Sequence, residues 1–75
     1  MRISELSRST GVSIASIKYY IREGILAPGD LDGPNRSTYG DAHAARLRLV
    51  RGLVEGAGVS IAGVKQITAA LDEGM

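Results

Sequence analysis

A single glycine between two short periodic segments constrains this chain more than any other feature. In the stretch Thr10 to Gly24, reading TGVSIASIKYYIREG, Gly11 interrupts one segment, Ser13 can cap the next and Gly24 can end it. The stretch reads as a turn feeding one helix of roughly three turns, too short to be stable alone. Ile14, Ile17 and Ile21, spaced three and four apart, are expected to pack inward on one face. Ser16, Lys18, Tyr19 and Arg22 fall on the remaining face, with Ser13 at its start. That mixture of hydroxyl, aromatic and cationic groups suits a polar, anionic partner.

Upstream, Ile3 and Leu6 sit three apart and Ser4 is the expected cap, so Ser4 to Thr10 reads as a first short helix. Gly11 supplies the positive φ that other residues resist, and Val12 is placed to plug the angle of a helix-turn-helix. An ordinary helical hairpin would use similar residues, so the spacing alone does not decide for nucleic acid. Downstream, Ile25 to Ala27 reads as a short strand before Pro28, with Thr38 and Tyr39 in a returning strand. The intervening PGDLDGPNRS makes a loop of about ten residues, either a wing or a solvated connector, and that length points to function. Asp41 is the expected cap of a third helix, with Ala42, Ala45, Leu49, Val50 and Leu53 inward and Gly56 and Gly58 ending it. Ser60 is the expected cap of a fourth, whose inward stripe is Ile61, Val64, Ile67, Thr68 and Leu71. Gly52 and Gly63 inside these helices each cost roughly 1 kcal/mol against alanine, which points to close packing at both.

Seventy-five residues make one small domain, expected over 1–75, without room for a deep catalytic cleft. With no cysteine and His43 the lone histidine, neither a thiolate nor a histidine-based metal site is expected, and no cofactor. No acid or nucleophile is arranged with His43 and no glycine-rich phosphate loop follows a strand, so an enzyme is not expected. His43 reads as a surface residue in the first turn of its helix. No apolar run is long enough to span a bilayer and the start lacks the apolar core of a signal peptide, so the expectation is a soluble cytoplasmic protein without membrane contact. The formal charge of +1 is nearly neutral, so the distribution of charge carries more information than its sum. Arg2, Arg8, Lys18, Arg22 and Arg36 lie in the first half, and Arg46, Arg48 and Arg51 cluster in one later helix. Asp30 and Asp32 interrupt the first group, while Asp72 and Glu73 are expected to lie far from the basic surface.

The order TGVS, IKYY, EGIL with Pro28, Arg36 to Tyr39, RLRLVRGL and GVSIAGVKQI resembles the DNA-binding domain of the MerR family of transcriptional regulators, from Arg2 to Leu71. The resemblance implies a mostly α fold with a small β-hairpin, a winged helix-turn-helix of about four helices and a two-stranded wing. It implies sequence-specific binding of double-stranded promoter or operator DNA, with the second helix in the major groove and the wing on the backbone. By position, Ser13, Ser16 and Lys18 match residues near the groove, and Tyr19 and Tyr20 match the family's aromatic pair, one phenol donating to a phosphate and the other, Tyr20, weighed toward the core. Tyr39 matches the tyrosine ending the wing, and Arg22, Arg36 and Arg51 complete the expected DNA-binding set. One or two of Arg46, Arg48 and Arg51 are expected near DNA, because positions two apart on a helix diverge.

The departures from the family pattern are specific. Ser37 stands where family wings commonly carry an arginine, and Arg36 is one step out, on the opposite side of an extended strand. Asp30 and Asp32 replace more basic residues, Val54 replaces a further arginine, and Ala15 offers only a methyl contact. Full-length relatives continue into a long dimerising helix and a sensing domain, and contact RNA polymerase through the promoter. The full-length form is therefore expected to be a homodimer, and this chain a monomer or a DNA-assembled array. Two further readings stay open: an excisionase-like architectural DNA binder, and a protein interaction module on the same scaffold. Lys18 and Arg22 have a plainer reading as a solvated helix face.

Overall fold

The computed structural model describes residues 1–74; Met75, which the expected domain 1–75 included, lies outside the described residues. Four α-helices and a two-stranded antiparallel hairpin follow in the order α1 (Ile3–Thr10), α2 (Ile14–Arg22), β1 (Asp30–Leu31), β2 (Ser37–Thr38), α3 (Asp41–Arg51), a π-helical turn (Gly52–Gly56) and α4 (Ile61–Glu73). This is the winged helix-turn-helix that the resemblance implies.

Helix α1 starts one residue earlier than expected, and Ser4 does not cap it. The carboxylate of Glu5 reaches back instead to accept from the Arg2 N–H at 3.2 Å. At its other end Gly11, with φ 74°, donates its N–H to Ser7 O, closing the helix in the left-handed conformation that glycine tolerates. The turn is then held by side chains: Ser7 donates to Val12 O at 2.6 Å, and the Val12 N–H donates to Thr10 Oγ1 at 3.3 Å. Ser13 caps α2 as expected, its hydroxyl accepting from the Ser16 N–H at 3.1 Å.

The inward face of α2 differs from the expected isoleucine stripe. Ile17 and Tyr20 are buried, Ile21 is half-buried, and Ile14 is 38 % exposed. The reason lies after the helix. Gly24 takes φ 78°, and the N–H groups of Ile25 and Leu26 both return to Tyr20 O, so these two apolar residues plug the core. Ile25 to Ala27 is consequently not a strand. The hairpin lies later and its loop is shorter than expected, with Asp30 opposite Thr38, Leu31 opposite Ser37 and residues 32–36 between them.

In α3 the buried stripe is Ala44, Leu47 and Val50, not Ala42, Ala45 and Leu49, which are exposed. Asp41 is in the first turn but is not the cap; His43 Nδ1 accepts from the Gly40 N–H at 3.1 Å. Past Arg51 the helix widens, the Ala57 N–H reaching Gly52 O at 3.0 Å, so Leu53 and Val54 are both half-buried. Ser60 caps α4 by accepting from the Gly63 N–H at 3.1 Å; Val64 and Thr68 are fully buried, Ile61 and Ile67 half-buried, and Leu71 exposed. The core of Leu6, Ile17, Ile25, Leu47, Val50 and Val64 therefore draws on every helix and the segment after α2.

Gly63 fits the close-packing expectation, because an added Cβ would stand 2.8 Å from Val59 Cγ1. Gly52 does not: its Cβ would meet nothing within 4 Å, and its φ and ψ of −61° and −40° are helical. Gly52→Ala is accordingly expected to stabilise the fold by about 0.5 to 1 kcal/mol, read as an increased urea midpoint. An unchanged or lower midpoint would show that the π-helical turn itself needs glycine.

Asp72 is not remote from the cations. It pairs with Arg46, whose guanidinium also donates to Ile25 O at 3.0 Å, joining α4 to α3 and the segment after α2. The hydrogen bond from Arg46, aided by its charge, holds the Asp72 carboxyl below the ordinary aspartate range. A depressed folded-state value means the pair's stabilisation is fully present above the ordinary aspartate value and is lost as pH falls through the depressed one. Asp72→Asn should lower the urea midpoint slightly at pH 7, as befits an exposed pair, and the gap from wild type should narrow as pH falls below that of an ordinary aspartate. A gap independent of pH would assign the effect to packing instead.

Candidate nucleic-acid interface

Helix α2 presents Ser13, Ile14, Ala15, Lys18 and Arg22 to solvent. Ser16 is half-buried, its hydroxyl accepting from Ser13 Oγ at 3.0 Å, so the two hydroxyls sit together at the start of the helix. Tyr19 is half-buried, with its ring centroid 5.9 Å from that of Tyr20 and the Arg22 guanidinium 5.5 Å from its own centroid. A cation stacked on an aromatic face keeps its charge and its outward donors. Tyr20 and Tyr39 are buried as residues. Among the described residues neither phenol has a hydrogen-bond partner and no buried side-chain oxygen is left unpaired, so both hydroxyls reach solvent.

The wing is fastened to the start of the chain. Arg2 Nη1 donates to Ser37 O at 3.2 Å, Arg2 Nη2 pairs with Asp32 at 3.1 Å, and the Tyr39 N–H donates to Met1 O at 2.7 Å. Asp32, which stands where the family is more basic, is thus neutralised by an arginine that also locks the hairpin down. Asn35, with φ 59°, turns the chain just before Arg36. The consequence is a shallow groove in which Lys18 of α2 lies beside Arg36, Ser37 and Tyr39 of the wing and Arg2 at the start of α1. Arg36, one step out of the family pattern, still reaches this groove.

Tyr39 is held from behind by His43, edge-on with ring centroids 5.2 Å apart. With Nδ1 accepting from the Gly40 N–H, Nε2 is left to donate to Pro28 O at 3.2 Å. His43 therefore joins the loop before the wing to the loop after it, a structural use that its place in the sequence did not disclose.

Four of the nine Lys and Arg residues are paired: Arg2 with Asp32, Arg46 with Asp72, Arg51 with Glu55 and Lys65 with Glu23. Among the described residues, Arg8, Lys18, Arg22, Arg36 and Arg48 have no carboxylate within ion-pair distance. Arg51 stands apart from the wing groove. It donates to Thr10 O at 3.0 Å and to Glu55 at 3.1 Å, and lines a second depression with Arg8 and Arg48. Arg48 and Arg51 are three apart on one helix, a spacing that places them together and was readable in advance. The role of Arg2 had no local signal, because its partners lie thirty and more positions away.

A helix-turn-helix with a hairpin wing pinned beside its second helix defines the class of winged helix-turn-helix modules. Residues 1–71 match the family described as MerR HTH family regulatory protein, and the chain belongs to that family. It is 35 % identical over 69 residues to a protein named heavy metal-dependent transcription regulator 2 from Rhizobium meliloti (strain 1021). It is 33 % identical over 69 residues to the HTH-type transcriptional regulator HmrR of Sinorhizobium medicae (strain WSM419). Each alignment covers 92 % of this chain but 46 % of the relative, so the chain spans less than half the length of these curated relatives. No helix among the described residues is long and apolar enough to cross a membrane.

Proposed function

We propose that this chain is the double-stranded DNA-reading part of a transcription regulator, with α2 in the major groove and the wing on the phosphate backbone. The groove shared by Lys18, Arg36 and Tyr39 carries the reading, because it sets a free cation on the inserted helix beside a cation and a phenol on the wing. Lys18, Ser13, Ser16 and the Ala15 methyl are the side chains of α2 that meet base edges in this reading. Tyr19 and Tyr39 donate their phenols to phosphates, Tyr20 of the aromatic pair serves the core, and Arg22 and Arg36 supply charge at the backbone. Arg51 serves the same surface by holding the turn that aims α2.

Two such domains tethered in a homodimer would gain effective concentration on a palindromic operator, whereas one domain would bind alone or assemble on the DNA. RNA polymerase would then be met through the promoter. The metal dependence in one relative's name is that protein's property; among the described residues of this chain no group of three or more His, Cys, Asp or Glu side chains is placed to hold an ion.

Fluorescence anisotropy with a duplex selected from a random library and a scrambled duplex, each at two salt concentrations, tests the reading. Salt-sensitive binding that favours the selected duplex is expected. Tyr39→Phe should weaken both duplexes by a similar factor, about fivefold, corresponding to one hydrogen bond of roughly 1 kcal/mol. Absence of DNA binding at low salt and high protein concentration would abandon the reading in favour of a protein interaction module.

A further inference from the structure

Ile14 belongs by spacing to the inward stripe of α2, but it is 38 % exposed while Ile17, Ile25 and Leu26 are buried. It is the first residue of the helix, directly after the capping Ser13, and Ala15 beside it is exposed as well. The leading turn of α2 therefore shows solvent two side chains made only of carbon. The hydroxyls around them are largely committed to each other. Ser13 Oγ accepts from the Ser16 N–H at 3.1 Å and donates its own proton to Ser16 Oγ at 3.0 Å. Ser16 keeps a free proton, but on a half-buried side chain. The exposed hydrogen-bond donor of this face is Lys18, one turn further on, where the helix meets the wing groove.

The Cα–Cβ bonds of a helix tilt toward its start, so the Ile14 side chain covers the leading end of α2, ahead of Lys18 on the same face. In a helix-turn-helix, the N-terminal residues of the second helix are the ones that contact base edges. A G·C pair offers hydrogen-bonding groups in the major groove, and of the four bases only thymine presents a methyl group there. An isoleucine pressed against N7, O6 or an amino group strips their water and returns no hydrogen bond, which is costly. Against a thymine methyl, both partners leave water with a gain.

Resting on the reading that α2 enters a major groove, we propose that Ile14, backed by Ala15, is a specificity-determining residue that selects a thymine by its C5-methyl group. Lys18 and Ile14 then divide the reading by chemistry. The cation takes acceptors such as guanine O6 and N7, and the isoleucine takes the methyl of a thymine at another position. The exposure of Ile14, which the fold itself does not use, becomes the apolar half of the recognition surface.

The test is a methyl scan of the selected duplex, in which each thymine in turn is replaced by deoxyuridine so that the C5-methyl alone is deleted. Fluorescence anisotropy with the wild-type chain should find one position where the deletion weakens binding about fourfold, as expected for one buried methyl. In Ile14→Ala the same replacement should change affinity by less than about 1.5-fold, whereas Ile14→Val, which keeps the branch at Cβ, should stay sensitive. Circular dichroism should report the same helix content in all three proteins. A measurement on the wild-type chain alone gives a second arm: a C·G pair placed at that position should bind about fourfold more tightly when its cytosine carries a 5-methyl group. A scan in which no thymine methyl matters, equal affinity for cytosine and 5-methylcytosine, or a sensitivity undiminished in Ile14→Ala overturns the proposal while leaving DNA binding intact. Failure of the wild-type chain to bind any duplex overturns the underlying reading instead.

Discussion

Lys18→Ala is expected to relax the preference of this chain at a single base pair by about 1 to 3 kcal/mol, while leaving its fold unchanged. Lys18 is exposed on α2 and has no carboxylate partner among the described residues, so its removal leaves no buried charge behind. A change in stability beyond a few tenths of a kcal/mol is not expected at such a position. The measurement is a set of duplexes altered one pair at a time around the selected sequence, titrated with both proteins. If Lys18 reads a base edge, one position loses its preference and the others keep theirs. An equal loss on every duplex would make Lys18 a phosphate contact and would move base reading to Ser13, Ile14 or Ala15.

What separates Lys18 from Arg46 in such an experiment is pairing, which the sequence does not disclose. Both are cations on short helices, and both fall in stretches that resemble the same family. Arg46 turns to Asp72 and to Ile25 O, so it bridges three segments and is spent inside the fold. Lys18 lines the wing groove and has no carboxylate partner among the described residues. The same distinction reassigns the acidic residues. Asp32 in the wing and Asp72 at the end of α4 are each held by an arginine, which leaves Arg8, Lys18, Arg22, Arg36 and Arg48 as the exposed positive set.

Local signals were legible wherever a short-range rule had one solution. Ser13 and Ser60 could each satisfy an orphan N–H of the helix that follows, and both do. Gly11 had to turn left-handed for two helices to meet so closely, and it does. Where two solutions were equally good, the choice was tertiary. Ile25 and Leu26 suit a strand as well as a core plug, and the return of both N–H groups to Tyr20 O decides for the plug. Helix α3 carries small or apolar residues on two neighbouring stripes, and packing against α1 selects Ala44, Leu47 and Val50 over Ala42, Ala45 and Leu49. Of the candidate site, the outward face of α2 was legible because polar groups on an amphipathic helix face away from its core. The joining of that face to the wing by Arg2 and His43 was not, since it depends on partners far away in the sequence.

The pair Ile17→Ala and Ile14→Ala separates these two kinds of information in one experiment. Ile17 is fully buried, and truncating a buried isoleucine to alanine costs about 2 to 5 kcal/mol through lost transfer energy and the cavity left behind. A domain of this length has roughly 4 to 11 kcal/mol in total, so the Ile17 variant is expected to lose a large share of its stability. Helix α2 spans only nine residues and cannot hold itself once that anchor is gone. DNA binding should fail together with folding. Ile14, 38 % exposed at the start of the same helix, should cost less than about 1 kcal/mol when truncated, and its variant should remain folded. Urea titration followed by circular dichroism reads the two side by side. Equal losses would restore the continuous isoleucine stripe and place Ile14 in the core; a large difference fixes Ile14 on the surface, beside Lys18, where its methyl groups are free to meet a base.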